Sequence, residues 1–199
     1  REIIPQATET LRWASHLNNQ LIANYLEDAH SQVKVFSLGG KMEREISLPG
    51  IGSASGFRGR SDATETFYSF RSFTDSGTIH QLDLKTGKDS VFRKPKVDFN
   101  PADYVTRQVF YVSKDGTRIP MFITHKRGLA RDGSHPCLLY GYGGFNISLT
   151  PSFSVQTLVW MELGGVYAVP NLRGGGEYGE DWHEAGMKLN KQNVFDDFI

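Results

Sequence analysis

Pro136-Cys137-Leu138-Leu139-Tyr140-Gly141-Tyr142-Gly143-Gly144-Phe145 is the stretch whose reading decides the fold. Residues 137–140 form a short apolar run of one strand's length, which breaks into three glycines within four residues. A continuous apolar run bounded by turn signals predicts a buried strand of a parallel sheet, covered on both faces. Glycines just past the strand end admit positive φ and let backbone approach a ligand. Open α/β sheets bind ligands outside the carboxyl ends of their strands, so a site is expected at this turn. Tyr142 and Phe145 are the large side chains there. One brings an O–H donor, the other an apolar face.

Downstream, Val155, Leu158, Val159 and Leu163 recur at helical spacing and Gly164-Gly165 follows, which predicts a helix over about 154–163. Residues 166–169 read as a second buried strand, 171–179 as a glycine turn, and 181–187 as a short helix. Asn193 has the character of an N-cap, with Asp196 three residues on and Phe195 and Phe198 expected on the buried side. The sequence ends at Ile199 inside that helix, and this reads as a cut within a domain. Strand, helix and strand in alternation predict a parallel α/β layer.

Upstream, residues 105–113 and 118–125 flank Lys114-Asp115-Gly116-Thr117, and Asp-Gly between alternating strands is a strong hairpin signal. Pro120 places the second strand near an edge or at an irregularity. Two prolines and mixed charge in residues 94–101 mark a linker, dividing the chain at 1–96 and 97–199. Before it lie short strands at about 11–15, 21–26, 33–38, 44–48, 53–58, 66–73, 78–84 and 90–93, separated by turn signals such as Asn18-Asn19, Gly39-Gly40 and Asp75-Ser76-Gly77. Such strands suit a sandwich, a barrel or a propeller, and at four strands to a blade they amount to about two blades. No clear internal repeat chooses among these. The fold class is therefore all-β followed by α/β.

The motif Tyr140-Gly-Tyr-Gly-Gly-Phe-Asn146, followed by Asn171-Leu-Arg-Gly-Gly-Gly-Glu-Tyr-Gly-Glu180 and Asn190-Lys-Gln-Asn193, resembles the prolyl oligopeptidase family. The resemblance runs along nearly the whole chain and is weaker before about Val97. It implies the last blades of a seven-bladed β-propeller, incomplete here, and then the first part of an α/β-hydrolase peptidase domain. It further implies a serine endopeptidase that cleaves short peptides, generally after proline, through an acyl-enzyme. Related propeller–hydrolases, oligopeptidase B and acylaminoacyl peptidase, are the alternatives, and Phe145 favours a proline-sized pocket over a basic one. A non-catalytic binding fragment is the reading from a different class.

The nucleophile of this chemistry sits in Gly-x-Ser-x-Gly, and the acid and histidine follow it. No position completes that motif: Gly52-Ser53-Ala54-Ser55-Gly56 carries alanine where serine belongs. In the family all three triad members follow the helix that begins near Asn193, so they are expected beyond Ile199. What the resemblance carries onto this sequence is Tyr142 as the hydroxyl donor to the oxyanion and Phe145 as a wall of the substrate cleft. Asn171, Arg173 and Glu177 match the second motif and are expected to shape the neighbouring loop.

Composition bounds the rest. The 199 residues are 39% hydrophobic and 22% charged, with formal net charge zero, so nothing points to nucleic acid or an anionic membrane. No apolar run suits a membrane span. The six histidines lack metal-ligand spacing and are expected at the surface or at strand ends; no cofactor or metal is implied. Glu177, Asp196 and Asp197 read as loop and helix-start carboxylates. The single Cys137 excludes an internal disulfide, fits a reducing, cytoplasmic setting, and reads as a small core residue. Arg1 suggests that this N-terminus is not the native one. The partners expected are a short peptide substrate and the rest of the protein's own chain, which both domains need for completion.

Overall fold

The computed structural model describes residues 2–199. Strands β1 (Thr10–Leu17), β2 (Gln20–Glu27), β3 (His30–Ser37) and β4 (Met42–Ile46) form one antiparallel meander. Strands β5 (Ser53–Arg58), β6 (Glu65–Ser72), β7 (Asp75–Asp83) and β8 (Asp89–Arg93) form the next. Each of the short strands expected before residue 94 is present. Turn chemistry sets the register. Asn18 and Asn19, at φ 50° and 55°, pair Leu17 with Gln20; Asp28 and Ala29, at φ 45° and 67°, pair Glu27 with His30. Positive φ at both central residues is the type I′ turn, whose twist matches that of the strands it joins.

Period-two alternation then points Val33 and Val35 inward while Gln32 and Lys34 stay half-exposed. Leu17, Ile22, Val33 and Val35 of the first sheet share one core with Phe57, Tyr68, Phe70 and Leu82 of the second. Phe57 stacks on Tyr68 at 4.6 Å, and Tyr68 on His80 at 4.9 Å. His80 is therefore not the surface histidine expected. It lies on the inward face of β7 with Thr78 and Leu82, and its Nδ1 is 3.1 Å from an Asp89 carboxylate oxygen.

Residues 94–98 are exposed and irregular, whereas Phe99 stacks on Phe153 at 5.7 Å. Strands β9 (Tyr104–Val112), β10 (Arg118–Lys126), β11 (Cys137–Leu139) and β12 (Val166–Pro170) make the third sheet, in the order β11-β12-β10-β9. Helix α1 (Val155–Glu162) links β11 to its parallel partner β12. Ser154 caps its N-terminus by accepting from Thr157 N, and Leu158 and Met161 pack against Tyr104.

Three expectations are corrected here. The strand at Cys137–Leu139 is parallel but exposed, because it pairs only with β12 and forms the sheet edge. Cys137, expected in the core, is accordingly exposed in this chain. Pro120 lies in β10, a central strand. It is tolerated because its carbonyl, which accepts from Asn171 N at 2.9 Å, points towards β12 just past the end of their ladder. A strand residue's N and C=O point the same way, so the missing donor costs the β9 pairing nothing.

The first two sheets meet the third through an apolar contact in which Ala29 and Phe73 pack on Phe122 and Val169. Polar contacts ring it. Gln108 donates to Asp28 O, Tyr178 Oη to an Asp28 carboxylate oxygen at 2.6 Å, and Ser53 Oγ to Pro151 O at 2.8 Å. The chain ends in two short helices, α2 (Glu180–Glu184) and α3 (Gln192–Phe198).

Candidate active site

Pairing with β12 runs one residue past β11, as Tyr140 N donates to Ala168 O at 2.9 Å. The glycines then turn the chain onto the second glycine loop. A Cβ on Gly143, at φ +60°, would lie 2.9 Å from Arg173 O; one on Gly174, at φ +90°, would lie 2.7 Å from Gly143 O. The two loops thus touch backbone to backbone, a contact that needs glycine on both sides. Phe145 and Asn146 follow in the left-handed region at φ 53° and 56°. Such positions cost about 1–3 kcal/mol each and persist where their surroundings hold them. Here Asn146 N donates to Gly174 O at 3.1 Å, Ile147 N to Gly144 O at 3.0 Å, and His183 Nδ1 lies 2.8 Å from Gly174 O. Tyr142 and Phe145, three positions apart, emerge at the open end of the sheet, 43% and 84% exposed. Among the described residues the Tyr142 hydroxyl has no hydrogen-bond partner.

Behind this exposed turn the second motif is buried. Asn171 Nδ2 donates to Leu149 O at 2.6 Å and to Glu177 Oε1 at 3.2 Å, and the same Oε1 accepts from Leu149 N at 2.8 Å. These bonds clamp the segment after Phe145 to the glycine loop. Glu177 is 1% exposed, its Oε2 has no partner among the described residues, and burial holds its carboxyl above the usual carboxylate range. The expectation of an ordinary loop carboxylate is corrected to that extent.

Arg173 reaches the other way. Its Nη2 donates to Asp197 Oδ1 at 2.6 Å, its Nε to both Asp197 oxygens, and its backbone N to Asp197 Oδ2 at 3.0 Å. Its Nη1 donates to Asp115 at 2.6 Å, in the β9–β10 turn, and holds that carboxyl well below its ordinary value. Ser113 Oγ donates to Asp197 Oδ1 at 2.7 Å, and Tyr111 Oη to Asp197 O. Burial and the nearby Asp197 push the Tyr111 phenol up to about 12, so it stays a neutral donor. One buried ion pair therefore ties α3, the glycine loop and the hairpin turn together.

This arrangement overturns the expected helix start. Asn193 does not cap α3; Lys191 occupies that position without a side-chain cap, and Asn193 Nδ2 donates to Ala185 O at 2.9 Å. The buried face carries Val194 and Asp197, while Phe195 and Phe198 are 53% and 38% exposed. Asp197 is thus a buried anchor that the sequence reading missed. The available signal was its helical spacing from Val194 together with an arginine in the glycine motif. No three His, Cys, Asp or Glu side chains among the described residues gather as a metal site would require.

Two family models match in succession. Residues 1–95 match the prolyl oligopeptidase N-terminal β-propeller domain, and residues 151–199 match the prolyl oligopeptidase family. A prolyl endopeptidase of Elizabethkingia miricola is 52% identical over all 199 residues. The chain belongs to the prolyl oligopeptidase family. Its first two sheets are propeller blades, and its third begins the α/β-hydrolase domain. A prolyl endopeptidase of Dictyostelium discoideum is 39% identical over 208 aligned residues. A solved structure from an analysis of two prolyl endopeptidases and their inter-domain dynamics superposes with a TM-score of 0.92 at 48% identity, over 100% of this chain and 29% of that one. Apo prolyl oligopeptidase B from Galerina marginata superposes with a TM-score of 0.87 at 36% identity, again over 29% of its length. The chain spans about 28% of the length of the curated prolyl oligopeptidase relatives it matches.

Proposed function

We propose that the complete protein is a serine endopeptidase that cleaves short peptides, generally after proline, through an acyl-enzyme. In this reading Tyr142 donates its hydroxyl to the oxyanion and Phe145 lines the substrate cleft. The nucleophile, acid and base lie in sequence beyond Ile199. The observation that carries the reading is the turn itself. A phenol without an internal partner stands at the carboxyl end of a hydrolase-sheet strand, on backbone fixed by a second glycine loop. As serine attacks a peptide carbonyl, charge develops on its oxygen, and a preorganised donor stabilises that charge more than it stabilises the ground state. The proline-sized pocket rests on the apolar Phe145, which favours this specificity over that of the basic-residue relatives.

The domain division at 1–96 and 97–199 belongs to the same proposal and is supported by the exposed segment 94–98. The open edge at β11 is where further hydrolase strands would pair in a chain of the relatives' length. A cytoplasmic location rests on the unpaired Cys137. An active-site fluorophosphonate tests the chemistry. The full-length protein should be labelled and the 199-residue polypeptide should not. Labelling of the short polypeptide would place a nucleophile within it and refute the assignment.

A further inference from the structure

The peptide between Gly143 and Gly144 has no side chain on either flank to fix its orientation. Its carbonyl nevertheless has one definite partner: the Lys191 ammonium donates to Gly143 O at 2.7 Å, from 48 positions away. Among the described residues no backbone N–H reaches that oxygen. Lys191 Nζ also lies 3.8 Å from the Cβ position of Gly144. Among the described residues no carboxylate stands within ion-pair distance of it. Lys191 is half-buried and comes just before α3, whose far end is locked by the Arg173–Asp197 pair. Its root is therefore fixed while its head reaches into the glycine turn. With Gly144, Phe145, Gly174 and His183 it lines a cavity of about 490 Å³.

We propose that Lys191 is a positioning residue for Tyr142. A glycine–glycine peptide lacks the Cβ atoms that would restrict ψ at 143 and φ at 144, so beyond its packing on Gly174 its orientation is set by hydrogen bonding, and that orientation sets the path of the turn that carries Tyr142. A charge-assisted hydrogen bond selects one orientation. The ammonium thus fixes the Gly143 carbonyl, and through it the direction in which Tyr142 presents its hydroxyl. This inference rests on the oxyanion role of Tyr142 and adds a second residue, outside the turn, on which that role depends.

The test uses full-length protein in five forms: wild type, Tyr142→Phe, Lys191→Met, the double variant and Lys191→Arg. Lys191→Met keeps the apolar stem and removes the donor. It should lower kcat by about 10–100-fold, the scale of a mispositioned catalytic group, with KM changed by less than about 2-fold. In the Tyr142→Phe background the same change should cost less than about 2-fold, because the hydroxyl it positions is gone. Lys191→Arg should recover most of kcat. Backbone amide exchange at 143–146 should accelerate in Lys191→Met at unchanged melting temperature. Multiplicative losses in the double variant, unaltered exchange at 143–146, or an intact kcat in Lys191→Met beside an impaired Tyr142→Phe would each overturn the positioning role alone. An intact kcat in Tyr142→Phe would overturn the oxyanion reading and this inference with it.

Discussion

Asp197→Asn removes one charge and leaves the shape of α3 nearly unchanged, yet it should be among the most damaging single substitutions in this region. Asp197 is fully buried and Arg173 is 5% exposed, so the wild-type pair has little water to fall back on. The asparagine amide offers one oxygen where the carboxylate offered two. It cannot accept from Arg173 Nε, Nη2 and N and from Ser113 Oγ at once. Asp115 remains as a partner at 2.6 Å, but its side chain is 46% exposed and it reaches only Nη1. Removing one member of a buried pair typically costs about 3–5 kcal/mol, most of it from the uncompensated charge left behind. The half-exposed Asp115 should keep the loss near the lower end, about 3 kcal/mol. Replacing both charges, Arg173→Met with Asp197→Leu, should recover much of this. About 1–3 kcal/mol would persist, because Arg173 N and Ser113 Oγ lose their acceptor. Hydrogen exchange of α3 and the β9–β10 hairpin in full-length protein reports the local opening free energy of each variant without requiring two-state unfolding. If Asp197→Asn lowered it by less than about 1 kcal/mol, the ion pair would not be what ties these three elements together.

Two further outcomes follow from the same geometry. Glu177 has a folded-state carboxyl raised by burial, so the native state holds its proton more tightly than the unfolded chain. Stability should therefore fall as pH rises from the ordinary glutamate range, near about 4.3, through the raised folded value; Asp115, lowered by Arg173, contributes oppositely and is lost only on acidification. Glu177→Gln should flatten the alkaline loss in melting temperature measured from pH 4 to about pH 8, and a curve parallel to wild type would contradict this. In full-length protein limited trypsin should cut after Lys96 before any site in the third sheet; first cleavage within 104–126 would count against the domain boundary.

Most of the fold is legible in the sequence because its determinants are local. The Asn18-Asn19 turn, the Asp115-Gly116 turn and the glycine stop of α1 at Gly164 act within a few residues of themselves, and each falls where turn and stop chemistry puts it. The misreadings arise where distant partners decide. The run 137–139 is as apolar as a central strand, but burial depends on neighbours on both sides and β11 has one. Pro120 reads as a position at an edge or an irregularity, and which of these it is waits on where the β12 ladder ends, at Met121. Asn193 has the chemistry of a cap but is spent on Ala185 O. The exposed half of the candidate site, Tyr142 and Phe145, is carried by a contiguous motif. Its buried support is not: Asp197 meets Arg173 and Ser113 only after the chain has folded back across 24 and 84 positions. Lys191 reaches Gly143 across a similar gap.

The central claim is that Tyr142 donates to the developing oxyanion, and steady-state kinetics of full-length Tyr142→Phe test it most directly. The substitution keeps the ring and removes only the O–H. Loss of one oxyanion donor typically costs about 2.7–4 kcal/mol, or roughly 10²–10³ in kcat. The account predicts that fall with KM little changed, while Phe145→Ala, measured beside it, raises KM through lost apolar contact. A Tyr142→Phe enzyme with wild-type kcat and only a raised KM would make Tyr142 a binding residue and contradict the account.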